Sequence, residues 1–266
     1  MTRVAWGVLG TAKISSQHVL PAMLASPLIE LRAIASRSLA AAQHLGGAFG
    51  IARAYGSYEE LFAAPDIEAV YNPLPNHLHV AQTLRQAAGR VPIEEAFMVR
   101  HHPQWQRAHE IVRSSRIGTL RAVQVFFSYF NDATSALLDF GGGRQLGLTV
   151  STQSCRYQRV QAVGTSGRIE LQFPFNAPRG GAMRIAVDDG GALDGSGISI
   201  ETLSEADQYR LRAEAFSRRV RGEQARGSAS TTPSRRCASS MRSGARRPAS
   251  AGKMWPDVAE FGLSVA

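Results

Sequence analysis

The chain has 266 residues, of which 44% are hydrophobic and 19% charged. That composition excludes a disordered chain, a collagen-like fibre and a disulfide-stapled mini-protein, and the length suits two small domains. The formal net charge is +9, yet residues 1–215 carry 20 basic and 18 acidic side chains while residues 216–266 carry 10 and 3. The body is thus nearly neutral, which disfavours a nucleic-acid partner and leaves the basic last fifth as a separate question. Cys155 and Cys237 have no spacing suited to zinc or to a disulfide framework, so neither a metal site nor export is expected. The first ten residues run straight into an apolar strand, with no leader-like pattern or membrane-length apolar run, and a cytoplasmic location is the expectation.

Val4 to Leu9 reads as a strand, Gly10-Thr11-Ala12 as a tight turn, and His18 to Ser26 as a helix stopped before Pro27. Ile29 to Ala35 is a second strand, followed by Ser36-Arg37-Ser38 and an Ala-rich helix to Gly46-Gly47. Tyr55 marks a short strand, Ser57 caps a helix over Tyr58 to Ala63, and Ile67 to Tyr71 is a strand ending at Asn72-Pro73-Leu74-Pro75. A helix over Asn76 to Ala88 completes the series, and this alternation predicts a parallel sheet wound by helices on both faces.

Beyond Gly89 the alternation falters. Val91 to Ile93 and Ala96 to Val99 are short apolar runs, and Pro103 opens a helix stopped by Gly118. Strand-like segments then follow at Leu120–Phe127, Ser135–Phe140, Leu146–Ser151, Val160–Val163 and Ile169–Phe173, which predicts a mostly antiparallel second domain. Glu205 to Val220 reads as a helix with Tyr209, Ala213, Phe216 and Val220 on one stripe. Domain boundaries are expected at 1–100, 101–221 and 222–266, the last a basic, low-complexity tail too poor in large apolar residues to build a core.

Gly7-Val8-Leu9-Gly10-Thr11-Ala12 stands where a strand turns into a helix, the place where a dinucleotide's diphosphate meets bare amides and a helix N-terminus. One glycine of the usual fingerprint is replaced. At the second strand's end, Ser36, Arg37 and Ser38 stand where an acidic residue would bind a ribose diol. A guanidinium flanked by hydroxyls suits a 2′-phosphate, so NADP is expected, with NAD as the alternative. The loop of Pro73, Pro75, Asn76 and His79 follows the fourth strand at the ligand-binding edge of such sheets, and Asn76 also fits a helix cap.

On Gly7 to Ser15, Ala35 to Ser38, the loop from Tyr71 to His79 and Ile93 to Pro103, the chain resembles the glucose–fructose oxidoreductase and inositol dehydrogenase family, Gfo/Idh/MocA. Gly164 to Glu170, Pro174 to Asn176 and Asp207 to Tyr209 extend the resemblance over the first 220 or so residues. It implies an N-terminal Rossmann domain, an open-faced β-sheet domain, and NAD(P)-linked oxidation or reduction of a sugar or polyol, in a homo-dimer or higher homo-oligomer. By that resemblance Gly7, Gly10, Thr11, Ala12, Lys13 and Ile14 would hold the diphosphate, Ser36 and Arg37 the 2′-phosphate, and Pro73, Pro75, Asn76, His79 and Glu95 the nicotinamide end. Phe97, Arg100 and His102 would line the substrate approach.

The departures carry as much information. The family's strand after this loop delivers Glu-Lys-Pro, whose lysine is the catalytic acid/base. Here Gly89-Arg90 runs directly into Val91-Pro92-Ile93, so one βα unit is missing and the lysine with it. The only lysines, Lys13 and Lys253, belong to the cofactor turn and the tail. A second gap, between Asp132 and Ala133, removes the family's Asp-x-Gly-x-His or Tyr helix. Hydride exchange at a carbinol carbon needs a proton acceptor at the oxygen, and the expectation is impaired turnover, down to a nucleotide-binding or partner-binding remnant without catalysis. In the tail, Ser230 to Ser243 back-translated through GC-rich codons and read in another frame gives LDDAVATMRVIDAL, similar to the family's closing amphipathic helix, so a frameshift near Arg226 is expected.

Overall fold

The computed structural model describes residues 2–75, 78, 92–129, 134–151 and 154–223. These form two compact units, one built on the chain up to Met98 together with the segment from Tyr209, the other on Val99–Gln208. The tail beyond 223 and the expected helix over residues 76–88 lie outside the described residues.

The first unit holds four parallel strands, β1 (Val4–Leu9), β2 (Ile29–Ala35), β3 (Arg53–Tyr55) and β4 (Ala69–Tyr71), in the order β3-β2-β1-β4. Strand β1 is buried along its whole length. Val4, Trp6 and Val8 join one apolar cluster and Leu9 the other, as period-two alternation requires of a strand covered on both faces. The helices are α1 (Leu20–Leu24), α2 (Leu39–Ala48) and α3 (Tyr58–Ala63). Serines Ser38 and Ser57 cap α2 and α3 by accepting from the amides of Ala41 and Glu60 at 3.3 Å each.

Two elements differ from expectation for local reasons. The helix predicted from His18 starts earlier, as a π turn over Ser15–Val19 whose amide bond runs from Leu20 back to Ser15. Pro21 has no N–H to give to the fourth carbonyl back, and the wider turn accommodates that loss. Strand β4 is shorter than the predicted Ile67–Tyr71, because the Glu68 carboxylate takes the Ala5 amide at 2.9 Å in place of a ladder partner. The segment over residues 92–97 has no regular structure, and β4 ends the sheet on that side among the described residues.

The last helix, α5 (Gln208–Val220), was expected with the second domain and packs on the first unit instead. Its stripe of Tyr209, Ala213, Phe216 and Val220 lies against the β1 cluster. The Trp6 indole stands 5.5 Å from the Phe216 ring and donates to Ser217 Oγ at 3.1 Å. Beyond the helix end, Arg221 pairs with both oxygens of Glu68 and donates to the Arg3 carbonyl at 2.7 Å.

The second unit is a seven-stranded sheet in the order β11-β10-β9-β8-β5-β7-β6. Its strands are β5 (Leu120–Ser128), β6 (Thr134–Asp139), β7 (Gln145–Ser151), β8 (Tyr157–Gly164), β9 (Arg168–Leu171), β10 (Met183–Asp188) and β11 (Ile198–Leu203). All pairings are antiparallel except β5 with β7. Helix α4 (Pro103–Arg113) places Ala108 and Ile111 in the core formed by one face of this sheet. Strands β10 and β11 were not foreseen, although Met183, Ile185 and Val187 alternate as an inward row should.

Candidate cofactor-binding site

The carboxyl ends of β1, β2 and β4 lie side by side in the first unit. This is the edge at which open α/β sheets bind ligands. The chain leaves β1 through Gly10, whose φ of 70° favours glycine and whose amide donates to the Ala35 carbonyl at 2.7 Å. A Cβ at Gly10 would stand 2.9 Å from Leu74 Cδ2, so the turn also needs the missing side chain for space. The helical bonds begin with the amides of Ser15 and Ser16, both donated to Ala12. The amides of Thr11, Ala12, Lys13 and Ile14 precede them, with Thr11, Lys13 and Ile14 exposed, which leaves a row of N–H donors at a helix start.

Gly7 has a different place from the one expected. It lies inside buried β1, where a Cβ would come within 2.7 Å of Leu61 Cδ2. Its missing side chain lets α3 approach the strand.

At the end of β2, Ser36 is buried, donates its amide to the Tyr55 carbonyl at 3.1 Å and accepts from the Ser38 amide at 3.3 Å. That serine turn and the Ser38 cap hold Arg37 outward. Arg37 is exposed and has no ion pair or hydrogen bond among the described residues, so its guanidinium is available to an anion.

At the end of β4, Asn72 Oδ1 accepts from the Leu74 amide at 3.1 Å, which folds the Pro73–Pro75 loop back and buries Leu74 over Gly10. Pro73 is half-buried and Pro75 exposed, while Asn76 and His79 lie outside the described residues. A pair the sequence did not single out stands here: the Arg212 guanidinium of α5 lies 5.9 Å from the centre of the Tyr71 ring. Burial raises the Tyr71 hydroxyl above its ordinary value. Burial also pulls Arg212 down, against the attraction of Glu94, Tyr71 and Glu95. Only the spacing of α5 relative to β4 in three dimensions reveals this pair.

Glu95 is exposed and Phe97 half-buried in the first unit, joined by a tight turn in which the Phe97 amide donates to the Glu95 carbonyl at 2.8 Å. Arg100 and His102 belong to the second unit. His102 is 1% exposed and accepts from the Gln104 amide at 3.1 Å through Nδ1, which makes it the N-cap of α4, not a residue facing solvent. Burial pushes its pKa down, so it is neutral at pH 7 with the proton on Nε2. Among the described residues no group of His, Cys, Asp and Glu could hold a metal, and no helix is long and apolar enough to cross a membrane.

Comparison with known proteins places this geometry. Residues 4–93 match the model of an oxidoreductase family with an NAD-binding Rossmann fold, GFO_IDH_MocA. An uncharacterized oxidoreductase of Rhizobium meliloti is 36% identical over 300 residues, covering 83% of this chain and 90% of the relative. The 300 aligned positions exceed this chain's 266 residues, so the alignment carries gaps on the side of this chain. A D-xylose 1-dehydrogenase (NADP(+)) of Haloferax volcanii is 31% identical over 297 residues, 81% of this chain and 88% of that one. Among solved structures, the 3-ketoreductase KijD10 of Actinomadura kijaniata, in complex with TDP-benzene and NADP, shares the fold with a TM-score of 0.73 at 21% identity, covering 83% of this chain and 90% of that one. The turn at Gly10, the wound parallel sheet and the open second sheet thus have one explanation: the chain belongs to the Gfo/Idh/MocA family of oxidoreductases.

Proposed function

We propose that this chain binds NADP and exchanges a hydride with a CH–OH group of a sugar or polyol, at a rate impaired by the loss of the Glu-Lys-Pro lysine. The observation that carries the cofactor reading is Arg37, exposed and without a partner among the described residues, at the end of β2 beside the amide row that follows Gly10. In this reading the amides of Thr11 to Ile14 bind the diphosphate, with Lys13 adding charge. Arg37 takes the 2′-phosphate, and Ser36 and Ser38 hold the turn that presents it. Pro73, Pro75, Asn76, His79 and Glu95 form the nicotinamide end, and Phe97 stands on the substrate side. The bound nicotinamide would supply or accept the hydride. The chain's own task is then to orient the carbinol carbon and move a proton at its oxygen.

That proton is where the chain is poor. Lys13 is committed to the turn and Lys253 to the tail, and arginine, which makes up the rest of the basic residues, holds its proton too tightly to act as a base at neutral pH. The same observation favours a second reading, a nucleotide-binding member without turnover. Fluorescence titration with NADPH and NADH, followed by an assay over sugars and polyols with both cofactor forms, separates the two. NADPH binding at least about tenfold tighter than NADH is expected from one added charge-assisted contact. Slow, measurable turnover supports the first reading and none at all the second, while equal affinity for both cofactors contradicts the role given to Arg37.

A further inference from the structure

The carboxyl end of β4 carries a cluster of polar side chains that cofactor binding leaves unused. Tyr71 closes β4, pairs with Val8 of β1 and is 6% exposed, so water has little access to its ring. The wholly buried Ser15, which directly follows the amide row, places its hydroxyl next to that of Tyr71. Ser15 Oγ closes no hydrogen bond of its own among the described residues. From α5 the Arg212 guanidinium stands 5.9 Å from the centre of the Tyr71 ring, and its Nε is shut from solvent and likewise without a hydrogen-bond partner. Buried polar atoms left unpaired are rare in folded proteins, and two of them flank this one phenol.

The ionisable groups around the phenol are few. Arg212 and Tyr209 face it from α5, and the Tyr209 ring stacks on exposed His18 at 5.6 Å. Glu94 and Glu95 attract Arg212 from the segment over residues 92–97. Arg212 and the Ser15 hydroxyl favour the tyrosinate, while burial and Tyr209 oppose it and keep the phenol protonated at neutral pH. A phenol that holds its proton, beside a guanidinium that cannot give one up, is equipped to hand that proton over and to stabilise the charge left behind.

We propose that Tyr71 is the catalytic acid and base of this chain, touching the substrate oxygen through its hydroxyl, with Arg212 as the positioning cation behind it. This assignment rests on the hydride-exchange reading and supplies the proton carrier which that reading lacks. In the reducing direction the substrate's carbonyl carbon accepts the hydride and its oxygen takes the Tyr71 proton. The O–H bond of Tyr71 breaks and a C–H and an O–H bond form on the substrate, with oxidation of NADPH to NADP⁺. The tyrosinate left beside Arg212 is then reprotonated from solvent. Alcohol oxidation runs the same exchange backwards, with the tyrosinate as base.

The test uses the full chain loaded with NADPH or NADP⁺ and reads turnover in both directions from about pH 7 to 9, over a panel of sugars and polyols. Alcohol oxidation is expected to quicken about tenfold per pH unit as the tyrosinate fraction grows, and reduction to stay level because the phenol remains protonated. Tyr71→Phe, which removes one oxygen, should slow both directions at least about a hundredfold and leave NADPH affinity unchanged. The ultraviolet titration of the unsubstituted chain minus that of Tyr71→Phe isolates this phenol. Arg212→Gln should move its titration to higher pH and slow oxidation about tenfold, and Arg212→Lys should restore both. Should Tyr71→Phe not fold, the glutamine and lysine variants decide: oxidation slowed by the first and restored by the second supports the role, and indifference to both overturns it. Turnover that Tyr71→Phe leaves intact overturns this assignment alone. NADPH binding without any turnover overturns it in favour of the non-catalytic reading, and a folded chain that binds no NADPH overturns both.

Discussion

The carboxyl ends of β1 and β2 and the carboxyl end of β4 belong to the same sheet, yet they have fared differently. At β1 and β2 the parts fit one purpose: Gly10 turns where only glycine fits, the amides after it are unspent, and a serine turn holds Arg37 out. At β4 the sheet stops among the described residues, the segment over residues 92–97 is irregular, and the half-buried Arg212 lies against Tyr71. In the proposed reading, binding a dinucleotide and moving a proton at a substrate oxygen depend on different parts of this fold. The half that binds is local, set by one βα turn and the next strand's tip. The half that does chemistry depends on strands delivered from further along the chain.

The sharpest way to break the comparison is to remove what both halves share. Trp6 is 3% exposed, packs at a tilt against Phe216 and donates to Ser217, tying α5 to β1. Trp6→Ala is expected to cost about 3–5 kcal/mol of stability in denaturant unfolding followed by tryptophan fluorescence and circular dichroism, and to abolish NADPH binding with it. Retained binding would show the nucleotide half to be independent of α5.

A change confined to the β1 end has a smaller effect. Gly10→Val meets both a φ of 70° and the 2.9 Å approach to Leu74. It should weaken NADPH by roughly a hundredfold, from about 2–3 kcal/mol of strain and lost amide alignment. At the β2 tip, Arg37→Glu should weaken NADPH about tenfold or more and leave NADH nearly unchanged, with the difference shrinking as salt is added. An equal loss for both cofactors would mean that Arg37 supports the turn rather than the 2′-phosphate.

The smallest effect separates the second unit from the first. Arg107, with Arg116, holds the Glu201 carboxyl down to about 2 from its ordinary 4.5. A carboxylate with a depressed folded pKa contributes stability above its unfolded value and loses it as the pH falls toward the folded one. Between pH 4.5 and 2 this pairing should therefore cede about 1–2 kcal/mol once solvent screening of the arginines is allowed for. Glu201→Gln should flatten that part of the pH–stability curve and leave NADPH affinity at neutral pH unchanged.

How much of this was legible follows from the range of each interaction. The Gly10 turn, Arg37 at the end of β2 and the Ser57 cap are local signals, and the structure has each where the pattern put it, while Ser38, read only as a neighbour of Arg37, also caps α2. Gly7 was legible as a glycine that matters but not as packing space for Leu61, because that depends on how α3 lies over β1. His102 was open to two readings, the substrate approach and a helix cap, and it is the cap of α4, just before Pro103. Strands β10 and β11 carried the alternation that defines a strand but were hidden among glycines and aspartates. The docking of α5 on the first unit was out of reach, since Trp6 and Ser217 are 211 residues apart in sequence. Arg212 beside Tyr71 was hidden in the same way, since these two are also far apart in sequence.

The central claim is that this chain keeps the binding half of a Gfo/Idh/MocA site and has lost the efficient form of its chemistry. Single-turnover oxidation of prebound NADPH on mixing with carbonyl forms of sugars and related ketoses tests it most directly. The account predicts saturable binding of NADPH with hydride transfer at least about a thousandfold below the roughly 10 s⁻¹ usual for enzymes. Transfer at that usual rate, or no NADPH binding by a folded chain, would contradict it.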